Sequence, residues 1–108
     1  MAKKKLGDVF KAIADPTRRQ ILQLLVISQA LTIQDIYTQF DSSRQAVTKH
    51  IRVLSDAGLI NIEVRGRERV CYPQAARLGE VYQWVKTYEK FWEERFNALD
   101  NYLKTQKT

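Results

Sequence analysis

The stretch from Ser43 to Ala57 carries side chains suited to hydrogen bonding with a partner rich in acceptors. Its apolar residues recur at helical spacing, which predicts a helix with one buried face: Val47, Ile51 and Leu54. Residues 44–52 hold donors without a single acid: Arg44, Gln45, Thr48, Lys49 and Arg52. The DNA major groove displays base acceptors between walls of phosphate, so a helix inserted there needs donors on its exposed side. A solvated basic face is the alternative for such a stripe on its own.

A second group of donors follows in a predicted β-hairpin. Apolar and polar residues alternate over 60–65, the period of a half-buried strand whose inward side chains are Ile60, Ile62 and Val64. A returning strand over 70–72 precedes Pro73, and the tip between the two strands holds Arg65, Arg67 and Arg69. Arginines at a hairpin tip also keep an edge strand soluble. Beside a basic helix, they are better explained as a wing that grips phosphate or the minor groove.

The composition indicates one globular domain over 1–108 with a basic excess. The chain is 44% hydrophobic and 10% aromatic, and its net charge of +6 favours an anionic partner. Residues 1–76 hold 12 Lys+Arg against 7 Asp+Glu, whereas 77–108 hold 6 against 5, so the excess lies in the part expected to meet DNA. No apolar run approaches the roughly 20 residues that span a bilayer. The Lys3-Lys4-Lys5 start leads into no unbroken apolar stretch, and a single cysteine fits a reducing compartment. We therefore expect a cytoplasmic protein without a membrane partner.

Local signals predict the helices that lead up to the donor-rich segment. Apolar spacing over about 6–14 indicates a first helix. A second helix follows directly, with Asp15 as its N-cap and Pro16 as its first residue. Thr32 and Asp35 form a capping box for a short helix that reaches about residue 40.

The donor-rich helix and a long final helix complete the order. Ser42 or Ser43 caps a helix over about 43–57, and Gly58 is its expected stop. After the hairpin at about 60–72, residues from 77 to about 103 form the last helix. The order predicts a winged helix-turn-helix, which is a mainly α fold with a β-hairpin wing (α+β).

Three segments in combination resemble one family of bacterial regulators: ADPTRRQILQLL, SRQAVTKHIRVLSDAGLI and RGRERVCY. The chain is similar to the ArsR family of transcriptional regulators over about residues 10–103. The resemblance implies a homodimeric repressor on pseudo-palindromic double-stranded DNA, with a recognition helix over 43–54 and a wing over 63–70. Together with the residue types, it implies DNA contacts from Ser43, Arg44, Gln45, Thr48, Lys49, His50, Arg52, Arg65, Arg67 and Arg69.

The final helix also predicts a dimer. The segment 77–103 would span about 40 Å as a helix, against about 30–35 Å for a globule of this chain length. Its aromatic and aliphatic residues exceed what one stripe along a monomer can bury, and the surplus suits a partner subunit. Some of them are expected to line the domain's own core instead. By the resemblance, the terminal helices at about 6–14 and 77–103 form the interface, with Phe10, Val85, Tyr88, Trp92, Phe96, Leu99 and Leu103.

The chain departs from the metal-sensing members of that family. The closing pattern from Trp84 to Leu103 resembles a subgroup without metal-binding boxes, and Thr32 and Gln34 occupy the positions of the sensors' Cys-x-Cys pair. One Cys and one His cannot build a zinc-like site. We expect no metal and no cofactor, and no effector is indicated.

Two single residues and two other classes of function also bear on the prediction. For His50, a phosphate contact or a hydrogen bond within the helix-turn-helix is favoured over base reading. For Cys71, the role of a small strand residue is favoured over that of a redox switch.

The chain is not expected to be an enzyme, since it has no Gly-rich phosphate loop, nucleophile elbow or metal set. The alternative is a winged helix that binds protein or RNA, for which acids or exposed apolar groups would be expected on the 44–52 face.

Overall fold

A computed structural model of the chain describes residues 6–106. Five helices and three strands follow in the order α1 (Leu6–Ile13), α2 (Pro16–Ser28), β1 (Leu31–Thr32), α3 (Ile33–Tyr37), α4 (Arg44–Asp56), β2 (Ile60–Arg65), β3 (Glu68–Pro73) and α5 (Ala75–Thr105). This architecture confirms the predicted winged helix-turn-helix, with α3 and α4 as the helix-turn-helix and β2–β3 as the wing. The Lys3 to Lys5 segment, which we used in predicting a cytoplasmic location, lies outside the described residues.

The N-caps of α2, α3 and α4 are those expected from the sequence. The Asp15 carboxylate accepts the backbone N–H of Arg18 at 3.1 Å, and Pro16 opens α2. Thr32 and Asp35 make both hydrogen bonds of the capping box of α3. Ser43 caps α4 by accepting the backbone N–H of Ala46 at 3.1 Å. Because each cap satisfies backbone donors within one turn, these helix starts are set by local sequence.

The sheet has one more strand than the predicted hairpin. The short strand β1 pairs antiparallel with β3, placing Leu31 opposite Cys71, so the strand order is β1-β3-β2. This pairing covers an edge of β3 that a two-stranded wing would leave open. The expected inward position of Val64 is wrong: its side chain is 74% exposed, because the hairpin projects past the core after Ile62.

The core lies between α1, α2, α4 and the base of the sheet. Its fully buried side chains include Ile21, Leu25, Ile36 and Leu54, and the buried face of α4 is the predicted one: Val47, Ile51 and Leu54. Of the residues in α5, Leu78 and Val81 pack against this core. The helix-turn-helix therefore rests on the domain's own core, whereas most of α5 does not.

Helix α5 extends well beyond the rest of the domain. Its 31 residues correspond to about 46 Å of helix, and the longest dimension of the molecule is 69 Å against 35 and 21 Å for the others. No helix within residues 6–106 is long and apolar enough to cross a membrane.

Candidate nucleic-acid interface

The exposed face of α4 brings five predicted contact residues together. Arg44, Gln45, Thr48, Lys49 and Arg52 line one open surface, which we call the donor surface. The opposite side of the helix is held in the core, so the donors are presented on a fixed support. Of the described side chains, none that lines this surface is acidic. The arrangement can donate hydrogen bonds to base edges and to phosphates, as the major groove requires.

Tyr37, at the end of α3, organises one end of the donor surface. Its phenol oxygen lies 2.5 Å from the hydroxyl of Thr48, and the guanidinium of Arg44 lies 5.4 Å from the centre of its ring. The Thr48 hydroxyl has one donor and two acceptor sites, so this bond leaves it free to hydrogen-bond to a base as well. Tyr37 was not identified from the sequence, because its partner Thr48 lies on the next helix and no local spacing links them.

Ser43 stands at the entrance to α4. Its hydroxyl is the helix cap, bonded to the backbone N–H of Ala46, and its side chain is exposed. The predicted contact between Ser43 and DNA stays a prediction.

The wing turns at Gly66 and Arg67, between paired residues Arg65 and Glu68. Gly66 has a φ of 64°, a conformation that favours glycine, and this turn gives the tip its tight form. Arg67 and Arg69 line a shallow groove between the wing and α3, together with Thr32, Ile33, Gln34, Tyr37 and Glu68. The wing arginines are thereby connected to the helix-turn-helix through α3.

Arg65 differs from the two other wing arginines. Its guanidinium pairs with the carboxylate of Glu63 at 3.3 Å and lies 5.7 Å from the ring centre of Tyr72. Both partners stand on the wing itself, so part of the positive charge of Arg65 is balanced before any ligand arrives. The structure thus separates three residues that form one cluster in the sequence.

His50 lies away from the donor surface. At about 100° per residue it is about 170° around α4 from the centre of the five donors. Its Nδ1 lies 3.2 Å from Nη1 of Arg18 and 3.8 Å from a carboxylate oxygen of Asp15. His50 therefore forms a hydrogen bond inside the domain, to Arg18 of α2, whereas its predicted contact with DNA stays a prediction.

Asp15 is stabilised as a carboxylate in this cluster. The backbone N–H of Arg18 is the main cause that lowers the pKa of Asp15, and the positive charge of Arg18 acts in the same direction. Arg18 is a second residue that was not identified from the sequence, since its link to His50 joins residues 32 positions apart.

A separate apolar surface runs along α5. We call it the α5 face; it comprises Trp84, Val85, Tyr88, Phe91, Trp92, Phe96, Leu99 and Leu103, all of them substantially exposed. Ring contacts connect Trp84 with Tyr88 at 4.7 Å and Trp92 with Phe96 at 6.0 Å. Phe10 of α1 packs edge-on against Trp84 at 4.8 Å. The predicted interface residues of α5 are therefore all exposed, and Phe10 of α1 lies against the first of the aromatic residues.

Neither Cys71 nor the sensor-like positions offer a metal site. Cys71 is fully buried on β3, and burial raises the pKa of its thiol to about 11, well away from the thiolate that binds metals. The Thr32 hydroxyl accepts the backbone N–H of Asp35 as a helix cap. Among residues 6–106, no three His, Cys, Asp or Glu side chains stand together as metal ligands.

Comparison with known proteins finds relatives that regulate transcription. A family model described as a helix-turn-helix domain matches residues 13–63. The HTH-type transcriptional regulator YuzN of Bacillus subtilis (strain 168) is 43% identical, covering 57% of this chain and 74% of YuzN. The transcriptional repressor SdpR of the same organism is 39% identical, covering 57% of this chain and 68% of SdpR.

Solved structures show the same architecture. The crystal structure of the ArsR family transcriptional regulator RHA00566 matches with a TM-score of 0.73 and 33% identity, covering 86% of this chain and 97% of that one. The solution structure of Mb0332 from Mycobacterium bovis, a homodimeric winged helix-turn-helix DNA-binding domain, matches with a TM-score of 0.63 and 23% identity, covering 82% and 92%. At that identity the second match concerns the fold alone.

Proposed function

This chain belongs to the ArsR family of transcriptional regulators, and from that premise we propose that it is a homodimeric repressor of a pseudo-palindromic site in double-stranded DNA. The chain is a helix-turn-helix transcriptional regulator. The observation that carries the finer proposal is the acid-free donor surface of α4, supported from behind by the core. We infer that such a regulator works in the cytoplasm, where bacterial DNA lies.

We assign base reading to the first two turns of α4. The N-terminal part of a recognition helix points at base edges in this motif. There Gln45 can pair with adenine, while Arg44 and Lys49 can pair with guanine. Tyr37 supports this end by holding Thr48 and stacking near Arg44.

We assign backbone gripping to the wing. Arg67 and Arg69 are exposed and line the groove toward α3, where a phosphate or a narrow minor groove would meet them. Arg65 contributes less charge because Glu63 pairs with it.

The α5 face supports the dimer. An exposed aromatic surface of this extent is typical of a protein interface, and a second copy of the chain presents the same surface, as a twofold contact requires. Two copies would place two recognition helices on successive half-sites of one operator. The repressor role follows the name of SdpR and the family, and it is tested by transcription from a bound promoter.

Selection of genomic DNA fragments with the purified protein, followed by titration in fluorescence anisotropy, tests the DNA assignment. Wild-type protein should prefer a selected fragment over shuffled DNA and over RNA of the same sequence. Lys49→Ala should weaken binding, whereas Lys86→Ala, which removes the same charge from α5, should leave it within about twofold. Equal binding to selected, shuffled and RNA probes would favour a general interaction module instead.

A further inference from the structure

The side chain of Arg18 joins three helices. It starts in α2, donates from Nε to the carbonyl of Ala12 at 2.5 Å and from Nη2 to the carbonyl of Lys11 at 3.1 Å, both in α1. Its remaining nitrogen, Nη1, lies 3.2 Å from Nδ1 of His50 in α4. One planar group thus touches the end of the first helix and the back of the recognition helix.

The chemistry of the two side chains fixes the direction of the Arg18–His50 bond. A guanidinium has donors only, so Nδ1 of His50 must be the acceptor and its proton resides on Nε2. The guanidinium fork is rigid, with donors at set angles. Because two of its nitrogens are held by α1 carbonyls, the third holds His50 at a set position relative to α1.

Helix α1 in turn is part of the terminal-helix surface. Phe10 packs against Trp84 of α5 at 4.8 Å, where the α5 face begins. A continuous set of contacts therefore leads from the α5 face through Phe10 and α1 to Arg18, and from Arg18 to His50 on the side of α4 that faces away from the donor surface.

We propose that Arg18 is a positioning residue that sets the orientation of the recognition helix relative to the dimer face, and thereby the spacing at which two half-sites are read. The inference rests on the proposed function, since it requires a dimer on a two-part operator. It assigns to Arg18 and His50 no direct contact with bases.

The neighbouring residue supplies a matched control. Arg19 donates to the carbonyls of Ile13 and Ala14 at 2.9 and 3.0 Å, so it also satisfies the end of α1. Within the described residues its side-chain hydrogen bonds stop there, without reaching α4. Arg18→Gln and Arg19→Gln remove the same charge and similar bonds to α1, and only Arg18→Gln removes the link to the recognition helix.

The experiment compares a full operator with a single half-site. The probes are a fragment selected from random DNA with wild-type protein, the same fragment with one arm scrambled, and versions with one or two base pairs inserted at its centre. In Arg18→Gln, affinity for the full operator should fall about 10- to 30-fold, the order expected when one modest hydrogen bond is removed from each of two subunits. Half-site affinity should stay within about threefold, and the penalty for central insertions should shrink. Arg19→Gln should behave like wild type on every probe.

His50→Leu tests the same link from its other end. It should reproduce the weaker binding to the full operator, and the Arg18→Gln/His50→Leu double variant should bind no more weakly than either single variant, because one interaction is broken in all three. All measurements are made well below each variant's melting temperature.

Several outcomes would overturn the inference. Equal reductions of affinity in Arg18→Gln and Arg19→Gln would show that Arg18 acts only by capping α1. Equal reductions on the full operator and on the half-site would show that Arg18 acts within one subunit and not on the spacing between two. Additive reductions in the double variant would separate Arg18 from His50. If the wild type itself shows no two-part site, the proposed function fails. If the wild type requires a fixed spacing between half-sites and Arg18→Gln leaves that requirement unchanged, only the inference about Arg18 fails.

Discussion

Truncation of Trp92 should break the dimer. A fully buried aromatic side chain removes about 150–250 Å² from water, and Trp92 is 54% exposed in the single chain, so about 80–130 Å² is left for a partner to cover. At about 25 cal/mol per Å² this is worth about 2–3 kcal/mol in each subunit. A twofold dimer is weakened by this amount twice, about 4–6 kcal/mol, which raises its dissociation constant by up to about 10³- to 10⁴-fold.

Sedimentation equilibrium of Trp92→Ala over a range of concentrations measures this change directly. Affinity for a two-part operator should fall together with dimerisation, because the two half-sites are no longer linked. Trp92→Ala combined with Leu99→Ala should give a monomer at every practical concentration. Ile27→Ala is the control: its side chain is 74% exposed on α2, outside the α5 face, and its truncation should leave the dimer intact.

A refuting result is equally specific. If the double variant sediments as a dimer with an unchanged dissociation constant, the α5 face is not the subunit interface, and its exposed aromatic residues serve another partner. Circular dichroism should show retained helix in both variants, since Trp92 and Leu99 lie outside the domain core.

Five further perturbations separate the roles of the other groups. Gln45→Ala should relax base preference, by about 1–3 kcal/mol at one position, while leaving the salt dependence nearly intact; Arg67→Ala should weaken all sequences alike and reduce the salt slope by about 0.9 for each phosphate that is no longer neutralised. The exchange of these two results would invert the assigned roles. Stoichiometric zinc or a chelator should leave operator affinity unchanged, and a large reproducible decrease with zinc would reveal an unrecognised ligand set. Cys71, buried and with a pKa raised to about 11, should resist a thiol reagent at pH 8 until the protein is denatured, because only the exposed thiolate reacts; fast labelling of native protein would contradict its burial. We also expect the Cys71 thiol to lower stability at high pH. Its ordinary pKa of 9.0 applies to the unfolded chain, and burial raises the pKa to about 11 in the folded protein. The unfolded state therefore releases the proton at a lower pH. Stability is then unaffected below about pH 9 and declines between about pH 9 and 11, and identical slopes of the denaturant midpoint in wild type and Cys71→Ala would remove this contribution.

Features that depend on neighbouring residues were predictable from the sequence. The caps at Asp15, Thr32 and Ser43 each bond a backbone N–H three residues ahead, so their partners are fixed as soon as the helix forms. The donor surface and the buried face of α4 follow from helical periodicity, which assigns each residue to a side. The winged helix-turn-helix could be recognised because such local signals agreed along the whole chain.

Contacts between distant residues required the folded chain. The pairing of Leu31 with Cys71 and the bonds of Tyr37 with Thr48 and of Arg18 with His50 join separate elements, and no spacing in the sequence specifies them. Periodicity predicted an inward side for Val64, but whether a core lies beneath that side depends on how far the hairpin projects. Periodicity also places His50 away from the donors, but the partner that it meets there depends on the position of α2 against α4. Long-range hydrogen bonds, and the burial of a side chain under a neighbouring element, depend on how the elements pack, so they can be known only from the folded chain.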